Sequence, residues 1–405
     1  MPTPALEWLH LAARWIHVIA AIMWIGDSFL FMWMDRSLVA PSRPREGDVV
    51  GELWMVHSGG FYEVVKRRVL APGEMPRTLH WFMWEAYTTW ITGMLLLGIV
   101  YYFSGGVYLI DRSVSGLGLG AAIGISLGLL VAAWLVYDAL WRSPLARSPA
   151  LAAGVGFALI VATSYGLTRI YPGRAAFIQL GAMLGTIMVT NVAHVIIPAQ
   201  RAMVAATRAG RAADAALGVK AKQRSTHNHY LTLPVLFTML SNHFPSTYGS
   251  RHAWLVLALL VITGTALKYV MNYRARSHPS VVLAGAAALV AAVALTARPS
   301  PGTRAAASYR DAAPVAFAEV RAIIELRCLT CHATHPSNPS FPQPPSGIVL
   351  EDPRRIQSLA PRILVRAVET RTMPLGNLTG MTEEERATLG AWIAQGARID
   401  GARKP

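Results

Sequence analysis

Long apolar runs separated by short polar and basic stretches occupy the first three quarters of the chain, and eight of them approach the roughly 20 residues needed to cross a bilayer. They extend from Leu11 to Met34, His80 to Phe103, Leu117 to Tyr137, Leu151 to Thr168, Ala175 to Ile197, His229 to Phe244, His252 to Met271 and Val281 to Ala297. The sixth is short and carries Pro234, so it is the one expected to be broken or re-entrant. The first lacks a basic n-region and a small-residue cleavage site, which predicts a retained span rather than a removed signal peptide. Between the first two runs, Ser37 to Arg77 is long for a connection, and an interfacial helix is expected around Val49 to Val69.

After the eighth run the pattern changes. Residues 298–313 are rich in Pro, Ser, Ala and Arg without apolar periodicity, and read as a linker. Residues 314–405 then show short amphipathic stretches. Phe317, Val320 and Ile324 share one helical face, and Arg354 to Thr370 is a second helical stretch interrupted near Pro361. Thr382 to Glu385 forms a capping box ahead of Leu389, Trp392 and Ile393. The expected fold class is therefore all-α: a polytopic membrane helix bundle over residues 1–297, followed by a small all-α domain.

Charge orients the bundle. Arg36, Arg43, Arg45, Lys66, Arg67, Arg68 and Arg77 follow span one, and Arg142 and Arg147 follow span three. Arg201, Arg208, Arg211, Lys220, Lys222 and Arg224 follow span five, and Arg274 and Arg276 follow span seven. The alternate loops hold only Arg112, Arg169, Arg174 and Arg251. The positive-inside rule places the rich loops in the cytoplasm, so both termini lie outside. In a bacterial inner membrane the C-terminal domain is then periplasmic. The net charge of +15 is mostly topology; no basic groove with interleaved aromatics supports a nucleic-acid partner.

The two cysteines of the chain stand in Cys328-Leu329-Thr330-Cys331-His332, the C-x-x-C-H arrangement that attaches a c-type haem. Each thiol adds across one porphyrin vinyl group, and His332 is placed to bind the iron axially. A zinc site using Cys328, Cys331 and His335 would lack a fourth ligand at finger spacing. A redox dithiol would need a strand-helix context that the flanking helical sequence lacks, and a short disulfide would leave His332 unexplained. The second axial ligand is assigned to Met373 in Arg-Thr-Met-Pro, with Met381 as the alternative, although its place before the capping box suits a staple. Trp392 is suited to cover a porphyrin edge.

Ionisable residues inside spans are costly, about 2.5–3.5 kcal/mol at mid-bilayer, and tend to face a cavity or a partner. Asp27 lies deep in span one, His80 and Glu85 at the inner end of span two, Asn191 and His194 in the inner half of span five, and His227, Asn228 and His229 at the inner start of span six. Together they offer bases and hydrogen-bonding groups for a small polar heterocycle entering from the cytoplasm; individually, each also reads as an inter-helix polar contact. Lys268, near the inner end of span seven, is long enough to snorkel. On the outer half lie His17, His243 and His252. His17 and His243, with His252 as the alternate, would serve as ligands of an intramembrane b-type haem relaying electrons across the bilayer.

Three stretches carry a resemblance. Trp15-Ile16-His17-Val18 through Trp24-Ile25-Gly26-Asp27 to Asp35 is the first. Asn191-Val192-Ala193-His194-Val195-Ile196-Ile197-Pro198 is the second, and His227-Asn228-His229-Tyr230-Leu231-Thr232-Leu233-Pro234 through Ser241-Asn242-His243 the third. The chain resembles the bacterial membrane-bound urate hydroxylase (urate oxidase) family with a C-terminal cytochrome c domain, over almost its whole length. The resemblance implies oxidation of urate to 5-hydroxyisourate, with electrons delivered to the attached cytochrome rather than to dioxygen. A periplasmic cytochrome c or a terminal oxidase would then accept them. A respiratory quinol-to-cytochrome subunit, and a scaffold or transporter carrying a tethered cytochrome, are the readings from other classes.

Overall fold

The computed structural model describes residues 4–297 and 313–399. All eight apolar runs are helical, and six helices are long and apolar enough to cross a membrane. These are Ala5–Ser37, Leu119–Arg142, Pro149–Ile170, Gly173–Arg208, Ala253–Tyr273 and Pro279–Ala297. The chain is predominantly α-helical. In order, the bundle comprises α1 (Pro4–Ser37), α2 (Trp84–Leu97), α3 (Leu119–Arg142), α4 (Pro149–Ile170), α5 (Gly173–Asn191), α6 (Ile197–Arg208), α7 (Ala215–Leu240), α8 (Pro245–Tyr248), α9 (Ala253–Tyr273) and α10 (Pro279–Ala297). The second and sixth runs fall outside the six for physical reasons. A π-helical turn over Gly98–Tyr102 continues α2, and α7 carries Lys220, Lys222 and Arg224 in its first half and Pro234 inside it.

α5 is the axis of the bundle. Phe177, Leu180, Leu184 and Leu257 are buried in one apolar cluster, with α3, α4 and α7 packed against α5 and α9 contributing Leu257 from behind α4 and α7. Just before α6, a second π turn, Val192–Ile196, interrupts the continuation of α5. Pro198 explains it. Without an N–H, proline cannot serve the carbonyl four residues back, at His194, and the ladder widens to absorb the gap.

The expected interfacial helix is instead a β-hairpin. Strand β1 (Val49–His57) pairs antiparallel with β2 (Gly60–Arg67), in register from His57↔Gly60 outward. Val, Trp, Met, Phe and Tyr favour a pleated surface. Ser58 and Gly59 adopt φ of 50° and 75°, the positive pair that a two-residue type I′ hairpin turn requires. Val39 bridges to Glu52 beside this hairpin.

The C-terminal helices have an apolar cluster of their own. Val320 and Ile324 of the helix Phe317–Arg327 are buried, together with Leu389 and Trp392 of the helix Glu383–Ala394. The Phe317 and Trp392 ring centroids lie 5.8 Å apart. The expected capping box forms, with Thr382 Oγ1 accepting from the Glu385 amide at 3.2 Å. The expected linker, 298–313, lies almost wholly outside the described residues. The loops that charge assigns to one side fall together: those after α2, before α5 and before α9 meet the C-terminal helices, while the hairpin, α6 and the start of α7 gather at the other end.

Glu52 anchors the hairpin loop. Its buried carboxylate accepts from the Ser42 amide and hydroxyl, both at 2.8 Å, and from Arg45 Nε at 2.9 Å. The Ser42 donors first, and Arg45 after them, hold its carboxyl below the ordinary value. A carboxyl lowered on folding contributes stability that is present above its unfolded value of about 4.3 and is lost as pH falls through the folded one. Glu52→Gln is therefore expected to speed hydrogen exchange of residues 38–45 at neutral pH. The wild-type segment should loosen only in the acid range below about pH 4, and equal exchange in both proteins at pH 7 would contradict this role.

Candidate functional site

The inner half of α1 places Asp27, Ser28, Phe31, Met32 and Asp35 at helical spacing on one face. That face forms one wall of an 820 Å³ cavity. His80 to Phe82 close a second side, the end of the hairpin brings Lys66, Arg67 and Arg68, and α7 brings Lys222 and Asn228. Asp35 pairs with Lys66, and with Lys222 at 3.2 Å. The wall thus combines two half-buried acids, Asp27 and the lysine-paired Asp35, with a rim of cations in which Arg67 also meets Glu74 and Arg68 meets Asp48. Glu85 lies within electrostatic reach of Asp27, and its Oε2 is buried without a hydrogen-bond partner among the described residues.

Behind this wall sits His229, 1 % exposed. Its Nε2 meets Asn272 Oδ1 at 2.8 Å and its Nδ1 meets Ser28 Oγ at 3.0 Å. The amide oxygen only accepts, so Nε2 carries the proton, and in the neutral ring Nδ1 accepts from the Ser28 hydroxyl. Ser28 lines the cavity. A proton taken up by Ser28 can therefore pass to His229, which makes the histidine a base acting through a hydroxyl. Phe29 packs edge-on against His229, with centroids 5.7 Å apart, and Lys268 Nζ sits 2.7 Å from the Phe29 ring centroid. Lys268 does not snorkel: it is 1 % exposed and has no carboxylate partner among the described residues.

A second polar file joins α3, α5 and α7. Asn191 Nδ2 donates to Asn228 Oδ1 and to the Tyr137 hydroxyl, both at 3.0 Å, and Asn228 donates to the Met188 carbonyl at 2.8 Å. Tyr137 meets His227 Nδ1 at 2.7 Å, and the Trp141 ring lies 4.0 Å from that imidazole. Arg224, 1 % exposed, donates to Asp138 at 3.0 Å and lies over the Tyr137 ring, while Arg142 meets Asp138 at 2.6 Å.

Of the residues read from sequence, Asp27 and His80 line the cavity. Glu85 adjoins Asp27, His229 stands behind Ser28, and Asn191 stands behind Asn228. His227 faces the α3 side in the Tyr137–Trp141 group. His194 is exposed beside Trp134, outside this group. Ser28, Lys268 and Asn272 were missed. Lys268 and Asn272, four apart inside an apolar run, were the available signal.

On the outer side, His17 Nδ1 is 2.9 Å from the Thr89 carbonyl and 3.1 Å from Thr92 Oγ1, packed where Gly93 lacks a side chain. His243 is exposed in the turn after α7, and His252 caps the start of α9. No described contact joins His17 to either. Among the described residues no group of three or more His, Cys, Asp or Glu is placed to hold a metal ion.

In the C-terminal helices Cys328 and Cys331 are free thiols. Burial pushes the Cys328 thiol up to about 12 and raises that of Cys331. His332 Nδ1 lies 2.9 Å from the Ile348 carbonyl, so it carries the ring proton and Nε2 keeps its lone pair. Met373 is half-buried, its backbone held by Arg366 and Arg386 at 2.9 and 2.8 Å; Met381 is buried beneath the capping box.

A family model for the urate oxidase N-terminal region matches residues 3–298. The chain belongs to the urate oxidase N-terminal family. The match spans the bundle and its cavity and ends before the cysteine pair. No curated protein and no solved structure matches the chain.

The Asp138–Arg224 pair yields a test of the bundle's polar file. Asp138→Asn leaves Arg224 buried without a carboxylate and is expected to cost about 3–5 kcal/mol, read as a lowered melting temperature in detergent. Asp138→Asn with Arg224→Met should lose much less than the two single losses added, and strict additivity would show the pair to be uncoupled.

Proposed function

We propose that the chain is an integral membrane urate hydroxylase that converts urate to 5-hydroxyisourate and passes the electrons to a c-type haem on its own C-terminal helices. The observation that carries this reading is the 820 Å³ cavity in the family-matched bundle, where Asp27 and the Ser28–His229 pair meet a cationic rim. Urate is a planar, acidic heterocycle that is more easily oxidised once deprotonated. Lys66, Arg67, Arg68 and Lys222 favour the anion, while Asp27, Glu85 and the Ser28–His229 pair receive protons from the ring and from the attacking water. The balance is the urate monoanion plus water giving neutral 5-hydroxyisourate, one proton and two electrons.

The C-terminal residues fit a covalent haem. Cys328 and Cys331 are free to form thioethers, His332 presents Nε2, Met373 is the second axial ligand in this reading, and Leu389 and Trp392 belong to the apolar core beside them. Bound there, the haem supplies a one-electron acceptor. In this scheme the bundle sits in a bacterial cytoplasmic membrane with the C-terminal helices in the periplasm, where a soluble cytochrome c or a terminal oxidase takes the electrons. The second haem is not carried forward, because the contacts of His17 are to α2 and His243 is exposed.

Anaerobic addition of urate to the purified protein is expected to bring up the bands of reduced c-type haem. Reduction by quinol and not by urate would overturn the reading in favour of a respiratory subunit. His332→Ala should abolish turnover while urate binding persists. Glu85→Gln or Asp27→Asn should lower urate oxidation by about 100-fold or more with the haem spectrum intact; normal rates in both would move the chemistry out of this cavity.

A further inference from the structure

A second cavity, of 310 Å³, lies at the seam between the outer end of the bundle and the C-terminal helices. Defined contacts close the seam. The Arg366 guanidinium reaches the Tyr248 hydroxyl at 3.4 Å, and the Tyr108 and Phe341 rings meet edge-on with centroids 6.5 Å apart. Gly376 packs so tightly that a Cβ there would lie 2.7 Å from the Ile110 carbonyl.

The wall is unbalanced in charge. Arg169, Arg174, Arg251, Arg366 and Arg371 line it; Arg371 pairs with Glu383 at 2.6 Å, and the other four have no carboxylate partner among the described residues. Asp111 is the acid in that wall, and its Oδ1 already accepts from the Ser113 amide and hydroxyl at 2.9 and 2.5 Å. Arg174 is fixed in place: its Nε donates to Asn242 Oδ1 at 2.9 Å, and its guanidinium lies 4.7 Å over the Tyr108 ring, leaving further N–H donors for a ligand. Two long helices, α5 and α9, also begin here. In α9 the Ala253 and Leu255 amides are already bonded to the Ser250 and His252 carbonyls, so it is the positive ends of the two helix dipoles, more than free amides, that attract anions. Tyr248 and Trp254 add aromatic faces to the same wall. Gathering five guanidiniums, one of them paired, and two helix N-termini around one space that holds a single acid favours the entry of negative charge.

We propose that this seam cavity binds an organic anion, a carboxylate or the enolate of a planar heterocycle, beside Met373. Two sources share that chemistry: a carboxylate of the porphyrin carried by the C-terminal helices, or a freely diffusing purine anion. The first rests on the haem reading above; the second does not.

The test uses the full-length protein in detergent, with urate as the soluble probe and calorimetry as the readout. Arg251→Gln with Arg366→Gln removes two charges, and the corresponding Lys pair preserves them as a control for folding. For a free anion, the Gln pair should weaken one class of urate sites by about tenfold or more, with recovery in the Lys pair. For a porphyrin carboxylate, urate stoichiometry should hold while the pH dependence of the haem midpoint potential shifts in the Gln pair and returns in the Lys pair. Unchanged binding together with an unchanged potential profile would overturn the proposal. Loss of every urate site in the Gln pair would sink the inner-cavity reading and leave the seam site standing.

Discussion

A helix surrounded by lipid has no water to satisfy its polar side chains, so every such group must find a partner inside the bundle. In the proposed membrane setting, that constraint organises this chain. α7 is too polar and too interrupted to count as a span by apolarity alone, with Arg224, Asn228, His229 and Pro234 in or near its path. It holds its place because α3 and α5 answer those groups: Asp138 for Arg224, Tyr137 for His227, and Asn191 for Asn228. α5, the most enclosed span, can be central because the helices around it close these pairs on one another. The same rule gives meaning to groups left open. Glu85 Oε2 and Asn272 Nδ2 are buried without partners among the described residues, and both flank the inner cavity or its histidine. Trp134 Nε1, Asn191 Oδ1, Ser277 Oγ and two nitrogens of Arg224 are likewise buried without partners among the described residues.

Much of the architecture was legible because apolar length and the alternation of basic loops are one-dimensional signals. The helical runs and the grouping of loops at the two ends follow from them directly. The hairpin was not read, although its signals are local too: alternating β-branched and aromatic residues around Ser58-Gly59, overshadowed by the expectation that a membrane loop rich in apolar residues lies flat as a helix. The site was half legible. Asp27, His80 and His229 stand out as costly residues in apolar runs, but Ser28 looks ordinary until α7 brings a histidine against it. Lys268 looked like a snorkelling lysine, and only the packing of α9 against α1 turns its ammonium onto Phe29. His194 shows the converse error. Its sequence neighbours are those of a site, yet the π turn before Pro198 leaves it on the outside.

The two ends of the molecule have complementary chemistry. The inner cavity mixes acids, a histidine, lysines and the arginines Arg67 and Arg68, and can move protons; the outer seam is dominated by arginine and aromatic rings and can hold charge without moving protons at neutral pH. α2 runs between them, with Glu85 near its start and Tyr101 in the π turn that continues it. From Tyr101 an aromatic file leads outward: Tyr108 at 6.2 Å and Phe341, 6.5 Å further, in the loop that follows the cysteine pair.

That division of labour bears on the hardest demand of the proposed reaction. A two-electron oxidation coupled to a single one-electron acceptor must proceed in two transfers, and between them a half-oxidised purine must be kept from escaping. A cavity walled by α1, the hairpin and α7, with a cationic rim that favours the anion, lengthens residence in the interval. The acceptor for its part must be cleared between transfers, which favours an iron held outside the membrane, where a soluble partner can reach it, over one buried among the spans. In this scheme holding substrate and separating protons from electrons are tasks for opposite faces: carboxylates and histidines gather at the hairpin end, and arginines outnumber acids at the seam.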